Sequence, residues 1–276
     1  MKPTPSTPTL AGSSPPPRRM AWPVALPMTL LLYLLLLLLG LLSLGWNLIA
    51  MLLYPVLPLR TGRALGRGAI AYVYRMYWAI AAATGMLRLE AGVLDALRDE
   101  RGLIIAANHP SMLDALMLVA RLPRATCIMK ASLLRNVFLS AGARLARYVS
   151  NESPLSMVRQ AVDALKQGGQ LVMFPEGTRT TQPPLNPFMP GITLIAKLAK
   201  APIQTVFIDT DSPYLGKGWP LWRLPPLPIV FSVRMGERFE PQRDADALLR
   251  ELEAYFASGV KPNRSMPKNP PAGGSN

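Results

Sequence analysis

The sequence predicts an α/β domain whose largely parallel central sheet is flanked by helices, preceded by an N-terminal hydrophobic membrane helix or helical hairpin. Three observations carry that expectation. From Met20 to Leu59 there is no charged residue, and the centre of this stretch is almost pure leucine. From about residue 88 short apolar runs alternate with helical patterns, as they do where parallel strands are joined by crossover helices. Glycine and proline punctuate the boundaries between these runs.

Residues 1–19 are rich in Pro, Ser and Thr and end in Arg18 and Arg19, too polar to bury a core, and read as a disordered basic tail. Residues 20–59 read as a membrane anchor. As one helix they would extend roughly 60 Å, about twice a bilayer core, so they form one span with interfacial ends or a hairpin. Gly40, Gly45 and Asn47 are the places for a bend, and Pro55 and Pro58 close the segment. Arginines flank it on both sides, at 18 and 19 and at 60, 63 and 67, which suits a hairpin with both ends on the cytoplasmic side. The apolar run is too long for a cleaved signal peptide. Residues 60–84 carry the apolar, aromatic stretch Ala69–Ile80 and read as an interfacial helix or, equally, a buried packing helix.

The α/β domain occupies residues 85–259. Its strands fall at 102–107, 125–129, 170–174 and 203–208, and its helices at 111–121, 153–167, 191–200 and 244–258. Ser153-Pro154 opens one of these helices and Gly168-Gly169 follows its end. Residues 260–276 form a second tail rich in Pro, Asn and Gly.

The chain has 276 residues, and its 30 Lys and Arg against 16 Asp and Glu leave a net charge of +14. That field attracts polyanions, whether anionic lipid headgroups, an acidic carrier or nucleic acid. Nucleic acid is the poorest of these, because the charge is spread over tails, loops and membrane flanks without a binding motif. Cys127, the single cysteine, excludes an internal disulfide and a thiolate zinc site, and it lies in an apolar strand where a small thiol packs inertly. With one histidine as well, no metal site is expected.

That histidine lies in Ala106-Ala107-Asn108-His109-Pro110-Ser111-Met112-Leu113-Asp114, at the end of a strand, where open α/β sheets place their sites. Asp114 is close enough in sequence to reach back to one ring nitrogen, fixing the tautomer and leaving the other nitrogen to accept a proton. The plainer alternative is that Asn108 caps a helix, Asp114 favours its dipole and His109 merely packs. A second stretch, Phe174-Pro175-Glu176-Gly177-Thr178-Arg179, follows the strand at 170–174 and makes a sharp turn that projects a carboxylate, a hydroxyl and a guanidinium. Backbone N–H groups near Gly177 and the Arg179 side chain suit a phosphate or a developing oxyanion. There is no Gly-x-Ser-x-Gly elbow to supply a hydrolase nucleophile.

Together, His-x-x-x-x-Asp and Phe-Pro-Glu-Gly-Thr-Arg resemble the glycerolipid acyltransferase family, which includes the 1-acylglycerol-3-phosphate acyltransferases. The likeness covers roughly residues 85–240. Lys130 with Leu133 and Leu134 is similar to the family's intervening segment, and Ala201-Pro202-Ile203 to its last motif. The resemblance implies that His109 is the general base, that Asp114 orients it, and that attack on the thioester is direct, with no covalent acyl-enzyme. It implies that Glu176, Gly177, Thr178 and Arg179, with Lys130 and Arg144, position the acceptor. The donor would be acyl-CoA or acyl carrier protein, the acceptor a lysolipid, and no further cofactor is implied. The setting would be a membrane, the bacterial inner membrane with the domain facing the cytoplasm. In one respect the sequence departs from the family: an expected arginine is replaced by Asn151 or Glu152, so Arg144 or Arg147 substitutes for it or the acceptor is another lipid such as lyso-ornithine lipid. A reading of another class is a catalytically silent lipid-binding scaffold.

Overall fold

A computed structural model describes residues 22–220 and 223–261. The tail expected at 1–19, with Arg18 and Arg19, and all of the tail expected at 260–276 except Val260 and Lys261 lie outside the described residues. Seven strands make one sheet: β1 (Leu87–Glu90), β2 (Leu103–Ala107), β3 (Ala125–Met129), β4 (Val149–Ser150), β5 (Gln170–Met173), β6 (Ile203–Asp209) and β7 (Ile229–Phe239). Their spatial order is β1-β7-β6-β2-β5-β3-β4, and every pairing is parallel except β6 with β7. The long strand β7 and the short β1 are absent from the sequence expectations, and the antiparallel pair they bring in makes the sheet mixed at that side.

The helices are α1 (Trp22–Leu53), α2 (Leu59–Ala83), α3 (Asp114–Arg121), α4 (Ser140–Ala146), α5 (Pro154–Lys166), α6 (Gly191–Ala199) and α7 (Ala245–Gly259). All five residues of β2 are buried, because the sheet is covered on both faces. Leu103, Ile105 and Ala107 point into a core shared with Ile70, Tyr77 and Trp78 of α2 and Met117 of α3. Ile104 and Ala106 point the other way, towards Ala161 of α5, Ile192 and Ile195 of α6 and Phe256 of α7. The alternation of successive side chains along a strand thus divides one apolar run between two cores.

Helix α1 runs without interruption past Gly40 and Gly45, and the chain turns instead at Tyr54–Pro58. The residues expected to bend it serve packing. Asn47 donates from Nδ2 to the Val137 carbonyl at 2.7 Å and accepts at Oδ1 from the amides of Ala141 and Gly142 at 2.7 and 3.0 Å. A Cβ at Gly142 would lie 2.8 Å from Nε1 of Trp46, so glycine is needed for this close approach. Leu32, Leu35, Ser43, Asn47 and Ala50 are buried along one side of α1, while Leu34, Leu37, Leu41, Leu48 and Leu52 are exposed on the other. Helix α1 therefore lies along the domain over most of its length. Helix α2 packs against α3 and α4, and a Cβ at Gly66 would stand 2.7 Å from the backbone nitrogen of Ala146.

Arg67, expected as part of a basic membrane flank, is instead a buried brace. It donates from Nε to the Ala146 carbonyl at 2.9 Å and from Nη1 to the Arg124 carbonyl at 3.0 Å, and burial pulls its pKa down to about 10. Cys127 is buried in β3, with its thiol pushed up to about 12 by burial.

Candidate active site

Because β2, β5 and β3 are adjacent and parallel, the segments leaving their carboxyl ends emerge at one edge of the sheet. The histidine loop leaves β2 and the Pro-Glu-Gly turn leaves β5. The proximity that two distant motifs require is thus a consequence of strand order.

Asn108 continues the line of β2. Its side-chain amide donates to the Ile208 carbonyl at 2.9 Å and accepts from the Ile208 amide at 2.7 Å, so it binds the neighbouring strand as a backbone group would. It does not cap α3, whose N-cap position is Leu113. Helix α3 begins at Asp114 rather than at Ser111 because the intervening amides are taken by side chains. The Ser111 amide donates to Asp114 Oδ2 at 2.7 Å and the Leu113 amide to Ser111 Oγ at 3.3 Å.

The same Asp114 Oδ2 lies 3.0 Å from His109 Nδ1. An ionised carboxylate only accepts, so Nδ1 carries the hydrogen and Nε2 is the free lone pair. The aspartate is fully buried, whereas the histidine side chain keeps 17% of its surface exposed. Burial pushes the Asp114 carboxyl up from its ordinary range, opposed by His109, the Ser111 amide and the charge of Arg179. Its second oxygen, Oδ1, finds no hydrogen-bond partner among the described residues. Phe174 stacks on the imidazole at 4.0 Å between ring centres and 16° between planes. The ring is therefore held on one side by its nitrogen and on one face by an aromatic.

Glu176, expected to help position the acceptor, makes its hydrogen bonds within the chain. It is buried, and its Oε1 accepts from the His109 amide at 3.0 Å and the Thr180 hydroxyl at 2.9 Å. Its Oε2 accepts from the Asn186 amide at 2.9 Å. Burial raises its pKa despite these three donors. The Thr180 amide donates back to the His109 carbonyl at 2.9 Å. The turn is thereby bolted to the histidine loop through backbone groups.

Gly177 takes φ +67, which the sharp turn needs, and its amide is used on the Phe174 carbonyl at 3.0 Å. The amides of Thr178 and Arg179 find no acceptor among the described residues. Arg179 donates from Nη1 to the carbonyls of Leu215 and Gly216 at 2.7 and 3.3 Å. The segment Ser212–Gly216 was not expected from the sequence. It crosses the histidine loop, with Ser111 Oγ donating to the Tyr214 carbonyl at 3.0 Å and the Met112 amide to the Leu215 carbonyl at 3.1 Å. Its one sequence-level signal is the density of Ser, Pro and Gly after β6.

Lys130 follows β3 and is exposed at the same edge, one strand beyond the Glu176 turn. Arg144 is exposed on α4 and donates to the Leu134 carbonyl at 3.2 Å. Neither hydrogen-bonds to the His109–Asp114 pair or to the Glu176 turn. Where the resemblance leads to the expectation of an arginine, Asn151 accepts the Ala131 amide at 2.9 Å, a local tie. Among the described residues no cluster of His, Cys, Asp and Glu fits a metal ion.

Residues 88–209, somewhat under half of the chain, match the Acyltransferase family model. A putative 1-acyl-sn-glycerol-3-phosphate acyltransferase, acl-1 of Caenorhabditis elegans, is 31% identical over 125 residues, which are 42% of this chain and 47% of the nematode protein. The chain thus spans about half the length of that curated relative. The crystal structure of the 1-acyl-sn-glycerophosphate (LPA) acyltransferase PlsC from Thermotoga maritima aligns over 85% of this chain and 93% of its own, with a TM-score of 0.61 and 18% identity, a likeness of fold. The matched stretch runs from β1 to the end of β6 and contains both motifs and the His109–Asp114 pair, so the likeness to the acyltransferase family falls on the part of the α/β core that carries the candidate site.

Proposed function

We propose that the protein transfers a fatty acyl group from an acyl thioester, acyl-CoA or acyl carrier protein, to the hydroxyl of a lysophospholipid such as 1-acylglycerol-3-phosphate. The observation that carries this reading is the His109–Asp114 pair at the sheet edge, with Nδ1 occupied and Nε2 free. In the reaction the acceptor hydroxyl gives its proton to Nε2 as its oxygen attacks the thioester carbonyl. The carbonyl oxygen becomes an oxyanion, for which the free amides of Thr178 and Arg179 are the available donors. Collapse breaks the C–S bond, and the departing thiolate takes the proton back from the imidazolium. No protein nucleophile is used, and Asp114 acts by holding the ring and balancing its transient charge.

Membrane association belongs to the same proposal, with α1 lying along the bilayer interface rather than crossing it. A helix crossing with its middle at Gly40 would bring the docked segment 136–142 to the bilayer centre. The ring of Phe138 lies about 4.0 Å from a Cβ placed on Gly40, and the exposed Arg135 and Arg144 flank that segment. Charge at that depth costs several kcal/mol, about 3 for each arginine even on the mildest scale. In the interfacial arrangement the exposed leucines meet lipid and the arginines meet headgroups.

The test is an acyl-transfer assay on membranes containing the full chain, with labelled acyl-CoA and acyl carrier protein offered in turn and the products identified by mass. His109→Ala should lower turnover by about 10²- to 10⁴-fold at an unchanged thermal midpoint. Equal transfer by both proteins would remove the catalytic assignment and leave a lipid-binding scaffold. Label appearing only on a non-phosphate acceptor would favour the lyso-ornithine alternative, which the replaced arginine motivates.

A further inference from the structure

Leu215 is held at φ +56, in the left-handed region that leucine seldom occupies and β-branched residues almost never do. Such a backbone persists where its surroundings overdetermine it. Here three consecutive carbonyls, those of Tyr214, Leu215 and Gly216, face the two motifs and accept from Ser111 Oγ, the Met112 amide and Arg179 Nη1. The Tyr214 ring is buried in the core that α1 and α2 share, with Leu32 and Tyr77. Arg179 is half-buried and close enough to Asp114 for its charge to act on that carboxyl.

With Nη1 committed to the two carbonyls, Nε and Nη2 of Arg179 find no partner among the described residues, and a planar guanidinium held by one corner presents the rest of its fork in one direction. That Arg179 meets the acceptor is what the family resemblance already implies; we propose that the strap Ser212–Gly216 fixes the direction in which its free fork reaches the acceptor's phosphate, and that Leu215 is the positioning residue whose left-handed backbone sets that direction. This rests on the acyl-transfer reading and adds to it the means by which a phosphate-bearing acceptor is chosen. The strap lies in the chain after the matched family segment, which ends at residue 209.

The experiment uses the purified full chain in mixed micelles with two acceptors that differ only in the phosphate, lysophosphatidate and monoacylglycerol of the same acyl chain. Wild type should favour the phosphate-bearing acceptor in kcat/KM. Leu215→Ile keeps the volume and moves one methyl to the β-carbon. It should cut that preference about tenfold, mainly through KM for lysophosphatidate, while Leu215→Met, unbranched and of similar volume, keeps it within about twofold. Arg179→Lys retains charge but cannot bridge the carbonyls and face outward, and should lose the preference at an unchanged thermal midpoint. This variant decides the matter should Leu215→Ile fail to fold. The proposal is overturned if wild type shows no preference for the phosphate, if Leu215→Ile folds and keeps it, if Leu215→Ile and Leu215→Met lose activity equally on both acceptors, or if Arg179→Lys keeps it. Absence of transfer to either acceptor by wild type would instead defeat the acyl-transfer reading.

Discussion

The histidine loop and the Pro-Glu-Gly turn stand side by side at the sheet edge, and each contains one buried carboxylate. Asp114 spends one oxygen on a ring nitrogen and a backbone amide and leaves the other without a partner. Glu176 spends both oxygens on amides and a hydroxyl of its own chain. On the acyl-transfer proposal, the same functional group serves chemistry in one place and architecture in the other. The number and kind of donors around it decide which. On that proposal, a carboxylate whose donors include a titratable ring orients the ring that moves the proton, while one saturated by amides and a hydroxyl fixes a backbone.

Three substitutions sharpen or break this contrast. The largest effect is expected at Asp114. Asp114→Asn keeps the shape but no longer selects the tautomer with Nε2 free, and turnover should fall by about 10³-fold. Stability should respond in the opposite sense. Burial raises the folded pKa of Asp114 above its ordinary value of 3.8, so the folded chain holds that proton more tightly than the unfolded chain does. The stability contributed by this group is present below that value and is lost as pH climbs through the raised one. Thermal midpoints measured from pH 3.8 upwards should therefore drift in favour of Asp114→Asn. A drift in favour of wild type would mean that the ring and the amide outweigh burial.

Glu176→Gln should reverse the balance between activity and stability. One amide oxygen replaces two carboxylate oxygens, and the new NH₂ faces an N–H donor. A loss of about 1–3 kcal/mol in denaturant unfolding is expected, with turnover per folded molecule reduced far less than in Asp114→Asn. If turnover vanished while stability held, Glu176 would belong with the chemistry and the contrast would fail. The smallest effect is expected at Phe174, whose ring only backs the imidazole. Phe174→Leu keeps the apolar contact but loses the aromatic face, and kcat should drop by about 2- to 10-fold, with Phe174→Tyr restoring it.

Much of this contrast was legible in the chain. The pairing of His109 with Asp114 follows from a strand end and a short spacing, and the structure holds the two at 3.0 Å. The strands at 125–129 and 203–208 and the helices at 153–167 and 191–200 also lie within a residue or so of where periodicity placed them. The role of Glu176 was not legible, because its partners His109 and Asn186 lie 67 and 10 residues away and two of its three donors are backbone amides that any residue could supply. The strap escaped for the same reason. Its contacts are made by carbonyls, and a carbonyl leaves no mark on sequence.

What the sequence by itself determined is whatever depends on side-chain type and local spacing: the buried strands, the helices between them, the uncharged N-terminal run and the two motifs. Tertiary structure alone decided that α1 lies along the domain without a bend, that Arg67 is an internal brace, and that β7 turns one side of the sheet antiparallel. It also decided that Glu176 bolts two loops together and that Leu215 offers its carbonyl to Arg179. The physical reason is common to all of these. Apolar periodicity is written locally, whereas the partner of a buried polar group is chosen by whichever donor the packed chain brings within reach.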